Sequence, residues 1–240
     1  PLIAMLGITG PAAYAYTGGI FMGEMTREFG WTKTEFSTAM TLQMVIGLIV
    51  GPIAARILDR VGSRRMLLAG VMPFALGLSM LSLATGAVWQ WWMLAALYAL
   101  THFGVGSASW INGVVQSFDA ARGMAIAVCL TGIGLATVGW PLIAAELVEA
   151  FGWRLAYPAM ATAASMVSIT GVFSILGRLG TGALLDRMPT KPLAIFAFLL
   201  PLVVMALFAT ADGSLPMLMA ASALLGFAAG SEIDVVAYLC

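Results

Sequence analysis

Residues 51–65 read GPIAARILDRVGSRR and include the end of one long apolar run and the charged segment before the next. The first run covers about residues 37–58 and the next about residues 66–85. Each is long enough to cross a bilayer as a helix, for which about 20 residues suffice. The charged and turn-forming residues between them are Asp59, Arg60, Gly62, Arg64 and Arg65. So short a charged segment predicts a tight turn at a membrane surface.

The composition of the whole chain agrees with this interpretation. Of 240 residues 61% are hydrophobic and only 9% are charged, with a mean hydropathy of +1.00. A soluble domain has about 25% charged residues and cannot bury so much apolar surface. The apolar runs lie at about residues 1–21, 37–58, 66–85, 92–117, 123–145, 155–185, 193–210 and from 215 onward. The sequence therefore predicts an all-α, polytopic transmembrane bundle of roughly eight spans. A transmembrane barrel is excluded, because its strands alternate apolar and polar residues.

Several functional classes are disfavoured by what the chain contains. The 11 basic and 11 acidic residues cancel, so nucleic acid is not an expected partner. A single histidine, His102, and two cysteines give no metal-binding pattern. His102 and Ser107 point about 140° apart on a continuous helix, which disfavours an intramembrane protease. We expect no enzyme activity, no cofactor and no metal.

The loop charges predict an orientation in the membrane. With the stretch around Arg60 in the cytoplasm, the basic residues on that side are Arg56, Arg60, Arg64, Arg65, Arg122, Arg187 and Lys191. The other side has only Arg27, Lys33 and Arg154. Most tryptophans also fall at that other boundary, where indole rings prefer to lie.

A second charged turn repeats the first. Residues 178–192 read RLGTGALLDRMPTKP, and Asp186 and Arg187 align with Asp59 and Arg60. Two copies in matching positions suggest a duplicated architecture.

With these two turns the chain resembles the major facilitator superfamily of secondary transporters, whose signature has the form GxxxD[RK]xG[RK][RK]. Within the superfamily the chain resembles most the monocarboxylate and oxalate–formate porter branch. The motifs that carry this resemblance are EFGW at 28–31, FDAARGMAIAVCLTG at 118–132 and FGWRLAY at 151–157. In that family the charged turn is a gate, which implies a gating role for Asp59, Arg60, Gly62, Arg64, Arg65, Asp186 and Arg187. Family members have twelve helices in two bundles.

The resemblance implies a domain arrangement for this shorter chain. We expect residues 1–157 to form the N-terminal bundle, with spans one to five and the start of six. Residues 158–240 would form a partial C-terminal bundle resembling helices eight to ten. The chain opens at Pro1 within an apolar run, so we expect both ends to be cut.

Arg178 is the first candidate for binding substrate. It precedes Asp186 by about 12 Å of helix, which places it near mid-depth in the membrane. A buried charge is costly there and indicates a role. A guanidinium holds a carboxylate through two parallel hydrogen bonds, and in the carboxylate porters an arginine on this helix binds the anion. The alternative is a structural arginine paired within the bundle.

Further candidates are weaker. His102, Asn112, Tyr14 and Gln43 are polar residues within apolar runs and would face substrate or bond neighbouring helices. Glu232 and Asp234, near the end of the last run, are candidates to carry a coupling proton or are interfacial charges.

These residues predict a secondary transporter for small organic anions, working by alternating access with proton coupling or exchange. The expected setting is the bacterial inner membrane, with the lipid bilayer around the chain. Two alternatives stay open: a drug or metabolite efflux carrier, and a partial membrane protein that does not transport.

Overall fold

The computed structural model describes residues 2–117, 122–185, 190–210 and 214–239. Apart from short connections, this part of the chain is helical, and it contains no strand, which confirms the all-α prediction. The helices are α1 (Leu2–Phe29), α2 (Lys33–Val61), α3 (Ser63–Met80), α4 (Val88–His102), α5 (Ser107–Ser117), α6 (Arg122–Leu185), α7 (Thr190–Thr210) and α8 (Leu215–Leu239). A 3-10 turn, Leu81–Leu83, extends α3.

Length and composition identify membrane-crossing segments among these helices. In the described ranges, four stretches are long and apolar enough to span a bilayer: Lys33–Val61, Ser63–Leu83, Val88–Gln116 and Arg122–Ser174. Many of their large apolar side chains, such as Leu48 at 79% and Met44 at 75%, are exposed. In a bilayer such faces contact lipid, so the exposed surface agrees with a membrane bundle.

Helix α6 is two antiparallel helices joined at Gly152. This residue has a positive φ of 74° and a ψ of 161°, which interrupts the helix and suits glycine. Before the break, the indole N–H of Trp140 donates to the Thr9 carbonyl at 2.7 Å. After the break, Tyr157 stacks on Phe21 with ring centroids 4.0 Å apart.

The direction of each part of α6 follows from its partners along α1. Gly132 lies against the Met5 carbonyl and Trp140 against Thr9, so this part runs parallel to α1. Tyr157 lies against Phe21 and Gly171 against Gly7, so the later part runs antiparallel to it. Residues 122–151 and 153–185 therefore form separate crossings, as the apolar runs predicted.

The fourth apolar run, 92–117, differs from the expected single helix. Helix α4 ends at His102 and α5 begins at Ser107, with Phe103–Gly106 between them. Within this break Gly104 meets Gly70 of α3 so closely that a Cβ on Gly104 would lie 2.6 Å from the Gly70 Cα atom. Glycine weakens a helix and permits this close backbone approach. The run still forms one crossing, but it is a broken one.

The charged turn at residues 59–65 is as short as the sequence predicts. Gly62, with φ 84°, is the only residue between α2 and α3, and its N–H donates to the Leu58 carbonyl at 2.9 Å. We call this end of the bundle the Arg60 end and the opposite end, where Trp31 lies, the Trp31 end. The proposed domain boundary at 157/158 lies within α6 and stays a prediction. Asp186 and Arg187 of the second turn lie outside the described residues.

Candidate functional site

A cavity of about 330 Å³ lies between α1, α2 and α4, part of the way along the bundle. Its lining residues are Ile8, Pro11, Ala12, Tyr14, Ala15, Tyr16, Gln43, Gly47, Tyr98, Ala99, His102, Phe103, Ser107 and Ile133. The wall is apolar along most of its length, with polar groups at a few positions. This is the usual character of a site for a small ligand.

Polar and aromatic side chains contact one another in a row across the cavity. The side-chain amide of Gln43 donates to the Tyr14 hydroxyl at 3.0 Å. The rings of Tyr14 and Tyr98 lie 4.7 Å apart between centroids. His102 follows Tyr98 by one turn of α4, and its Nδ1 atom lies 3.4 Å from the Tyr98 hydroxyl. Three helices thus contribute neighbouring polar groups to one wall.

The cavity offers hydrogen-bond donors to a ligand. Tyr16, Gln43, His102 and Ser107 provide hydroxyl, amide or ring N–H donors at the cavity. None of the described lining residues is Asp, Glu, Lys or Arg. The described wall therefore holds a ligand through neutral hydrogen bonds and aromatic contact and presents no acidic group to a cation.

The structure brings together three of the residues predicted from the sequence: Tyr14, Gln43 and His102 all line the cavity. Asn112 does not line it. This residue lies on α5, where its side-chain oxygen accepts a hydrogen bond from Gln116 at 3.4 Å. Asn112 follows His102 by ten residues, or about 15 Å of helix, so it lies beyond the cavity along the chain.

Tyr98 and Ser107 belong to the cavity but were not among the predicted site residues. Tyr98 precedes His102 by four residues, and residues at this spacing share one helical face. That spacing was the signal available in the sequence. Ser107 gave no comparable signal, because its position depends on the break between α4 and α5.

The remaining predicted residues are placed only by their helices. Arg178 lies in α6. Glu232 and Asp234 lie in α8. The side chains of these three residues fall outside the described part of the structure, and their roles stay predictions.

The residues of the first charged turn lie at the surface of the Arg60 end. Asp59, Arg60, Arg64 and Arg65 are exposed around Gly62. Within the described ranges Asp59 has no ion-pair partner. Its gating role stays a prediction.

The Trp31 end has a polar cluster of its own, centred on Glu28 near the end of α1. The Trp153 indole N–H and the Arg154 guanidinium both donate to the Glu28 carboxylate at 2.5 Å. These two hydrogen bonds lower the pKa of Glu28 below its ordinary value of 4.5, and the bond from Trp153 has the larger effect. Arg154 also stacks over the Trp153 ring at 4.4 Å. The cluster joins the end of α1 to the beginning of the second part of α6.

Comparison with known proteins gives a family and a few relatives. A family model described as Major Facilitator Superfamily matches residues 3–164. The chain is 28% identical over 130 residues to a protein named Multidrug resistance protein B homolog of Mycobacterium tuberculosis, covering 53% of this chain and 23% of that protein. The chain is also 28% identical over 157 residues to the MFS-type transporter pytF of Aspergillus terreus, covering 63% of this chain and 49% of that protein. The chain therefore spans half or less of the length of these relatives.

Proposed function

Because this chain belongs to the major facilitator superfamily, we propose that it transports small organic anions across a membrane by alternating access. The coupling is proton symport or anion exchange. The substrate site is the cavity between α1, α2 and α4, and its residues include Tyr14, Gln43 and His102.

The observation that carries this proposal is the set of donors at the cavity. A carboxylate has only acceptor oxygens, so it needs N–H and O–H groups around it when it leaves water. Gln43, Tyr16 and Ser107 supply such groups, and the described lining contains no carboxylate that would repel an anion.

The proposal assigns the counter-charge of the substrate to Arg178. Hydrogen bonds alone leave a buried anion without a counter-charge, which is costly at membrane depth. Arg178 of α6 is the candidate for this counter-charge, and we propose that its guanidinium meets the substrate carboxylate. Glu232 or Asp234 of α8 would then carry the coupling proton.

An efflux carrier for drugs or metabolites is the second candidate. The rings of Tyr14, Tyr98 and Phe103 line the cavity and would stack on a flat aromatic substrate. One relative is named a multidrug resistance protein homolog. For an efflux carrier, Arg178→Ala should leave transport intact, whereas it should abolish most transport of an anion.

The orientation of the proposed transporter follows from its charges. We place the Arg60 end in the cytoplasm, since basic residues concentrate there. The membrane would be the inner membrane of a bacterium.

Uptake into proteoliposomes tests the proposal. The purified protein is reconstituted, and uptake of radiolabelled lactate and of radiolabelled oxalate is measured with and without a pH gradient. We expect saturable uptake of one of these anions, reduced at least 100-fold in Arg178→Ala and partly retained in Arg178→Lys. Ethidium transport serves as the comparison. If the protein transports ethidium equally well with Arg178→Ala and takes up neither carboxylate, the anion proposal is wrong and the efflux carrier is the better interpretation.

A further inference from the structure

A second cavity, of about 240 Å³, lies next to the first on the side of the Arg60 end. Its lining residues are Gly51, Ala54, Ala55, Leu58, Met66, His102, Phe103, Gly106, Ser107, Ala108 and Ser109. Leu58 and Met66 flank the charged turn at Gly62, so this cavity extends toward the surface that carries Arg60.

The two cavities share His102, Phe103 and Ser107. These three residues lie at the break between α4 and α5. A residue that lines two adjacent cavities forms the wall between them. The largest side chains in this wall are those of His102 and Phe103, so we refer to it as the His102–Phe103 barrier.

The two sides of the barrier differ in chemistry. The first cavity presents the hydroxyl and amide groups of Tyr14, Tyr16 and Gln43. The second is lined largely by glycine and alanine, with the hydroxyls of Ser107 and Ser109 as its polar groups. A solute would be held by hydrogen bonds in the first cavity and only loosely in the second. This arrangement suits a binding site followed by a vestibule.

Close packing and a hydrogen bond hold the backbone that follows Phe103. Gly104 packs on the backbone of Gly70, and the Val105 carbonyl accepts a hydrogen bond from the Trp110 indole at 3.1 Å. Val105 is fully buried. Phe103 comes just before these anchored residues, and its ring has no hydrogen-bonding group that would fix its rotamer. A rotation of this side chain would open the wall without unpacking α3 or α5.

We propose that the His102–Phe103 barrier separates the substrate cavity from a vestibule that opens at the Arg60 end, and that the Phe103 ring is its movable part. A solute bound beside Gln43 reaches the Arg60 end by passing this ring. The proposal deepens the proposed function and rests on it for the identity of the solute. The barrier itself is tested without any substrate.

Thiol accessibility in oriented membrane vesicles tests the barrier. The native thiols are removed by Cys129→Ala and Cys240→Ala, and one new cysteine is introduced at Gln43 in the first cavity or at Ala55 in the second. A membrane-impermeant, positively charged methanethiosulfonate reagent is applied to right-side-out and to inside-out vesicles. A surface cysteine introduced at Arg60 identifies the vesicles in which the reagent faces the Arg60 end.

From the Arg60 end, we expect Ala55→Cys to react at least tenfold faster than Gln43→Cys. Adding Phe103→Ala should speed the reaction of Gln43→Cys about fivefold or more. The reaction rate of Ala55→Cys should stay unchanged in the same background, and an unchanged rate there shows that the fold is retained. Phe173→Ala is the matched control, because Phe173 lines neither cavity and borders an apolar crevice between α3, α6 and α8. It should change neither rate.

Two results would overturn the barrier: equal rates for the two cysteines with Phe103 present, or no acceleration of Gln43→Cys by Phe103→Ala. Accelerated labelling in a protein that takes up neither lactate nor oxalate would support the barrier and count against the anion proposal. The two proposals therefore fail separately.

Discussion

The side-chain amide of Gln43 donates a hydrogen bond to the hydroxyl of Tyr14, with 3.0 Å between nitrogen and oxygen. The bond links α2 to α1 at the cavity, near a part of α2 where Met44 and Leu48 are largely exposed. Gly47, the next cavity residue of α2, has no neighbour within 4 Å of the position a Cβ would occupy. The Gln43–Tyr14 bond therefore holds a wall of the cavity that has little other packing.

Loss of the Tyr14 hydroxyl is expected to weaken substrate binding. Tyr14→Phe removes the acceptor for Gln43 and one possible donor to a carboxylate. A hydrogen bond to a charged group contributes about 1.5–3 kcal/mol, so kcat/KM for the anion should fall about tenfold or more. Uptake kinetics in proteoliposomes measure this change.

Tyr157→Phe is the control for the Tyr14 variant. The Tyr157 hydroxyl is buried and has no hydrogen-bond partner within the described residues. Its removal should leave uptake unchanged. A comparable loss of uptake in both variants would mean that the Tyr14 hydroxyl has no special role at the cavity.

Replacement of Gly171 by alanine should destabilise the bundle. The Trp110 ring lies between Gly171 of α6 and Gly7 of α1, and a Cβ on Gly171 would lie 2.7 Å from the Trp110 Cη2 atom. Because Trp110 is only 1% exposed, the ring has little room to move. Overpacking of this kind costs about 1–3 kcal/mol, which should lower the thermal unfolding midpoint in detergent.

Gly139→Ala, in the first part of α6, is the matched control for Gly171→Ala in the second part. No atom lies within 4 Å of the Cβ position of Gly139. Alanine in a helix is favoured over glycine by about 0.5–1 kcal/mol, so the midpoint should stay the same or rise. If both variants shift the midpoint equally, tight packing around Trp110 is not the cause.

The Glu28 cluster should make stability depend on pH in the acidic range. The hydrogen bonds from Trp153 and Arg154 lower the pKa of Glu28 in the folded protein. The stabilisation is therefore complete above the ordinary pKa of 4.5 and is lost as the pH falls through the lowered value. Since Glu28 is 40% exposed, water screens part of the effect and the loss should be modest.

Unfolding midpoints measured between pH 3 and pH 7 check this expectation. Glu28→Gln should flatten the acidic part of the curve relative to the unmodified protein. Glu24→Gln should not, because Glu24 forms only an exposed pair with Arg27, within the same helix. If the midpoint of Glu28→Gln falls with decreasing pH as steeply as that of the unmodified protein, Glu28 is not the source of the pH dependence.

The turn at Gly62 should tolerate no side chain. Its φ of 84° and ψ of 153° lie in a region that is essentially confined to glycine and costs another residue about 1–3 kcal/mol. Gly62→Ala should lower the unfolding midpoint accordingly. Gly23→Ala, at a helical position of α1 with no atom within 4 Å of a Cβ, should not lower it. A midpoint that falls in both variants would show that the backbone conformation at Gly62 is not responsible.

The sequence by itself determined the class of the protein and the positions of its helices. Hydropathy is a local property, and a stretch of about 20 apolar residues has no stable alternative to a helix in lipid. The turn at Gly62 and the interruption between the runs 123–145 and 155–185 were visible for the same reason. The charged turn at Asp59 also indicated the family, because its signature is a short run of consecutive residues.

Only the tertiary structure decided which polar side chains meet. In a bilayer both the lipid-facing and the buried sides of a helix are apolar, so hydropathy does not reveal how each helix is rotated. Tyr14, Gln43 and His102 were recognised as polar residues in apolar runs, but their shared cavity depends on the packing of three helices. At the break between α4 and α5, Gly104 packs against Gly70, a residue of another helix. Contacts between residues far apart in the chain are set by this packing, and the local sequence does not encode them.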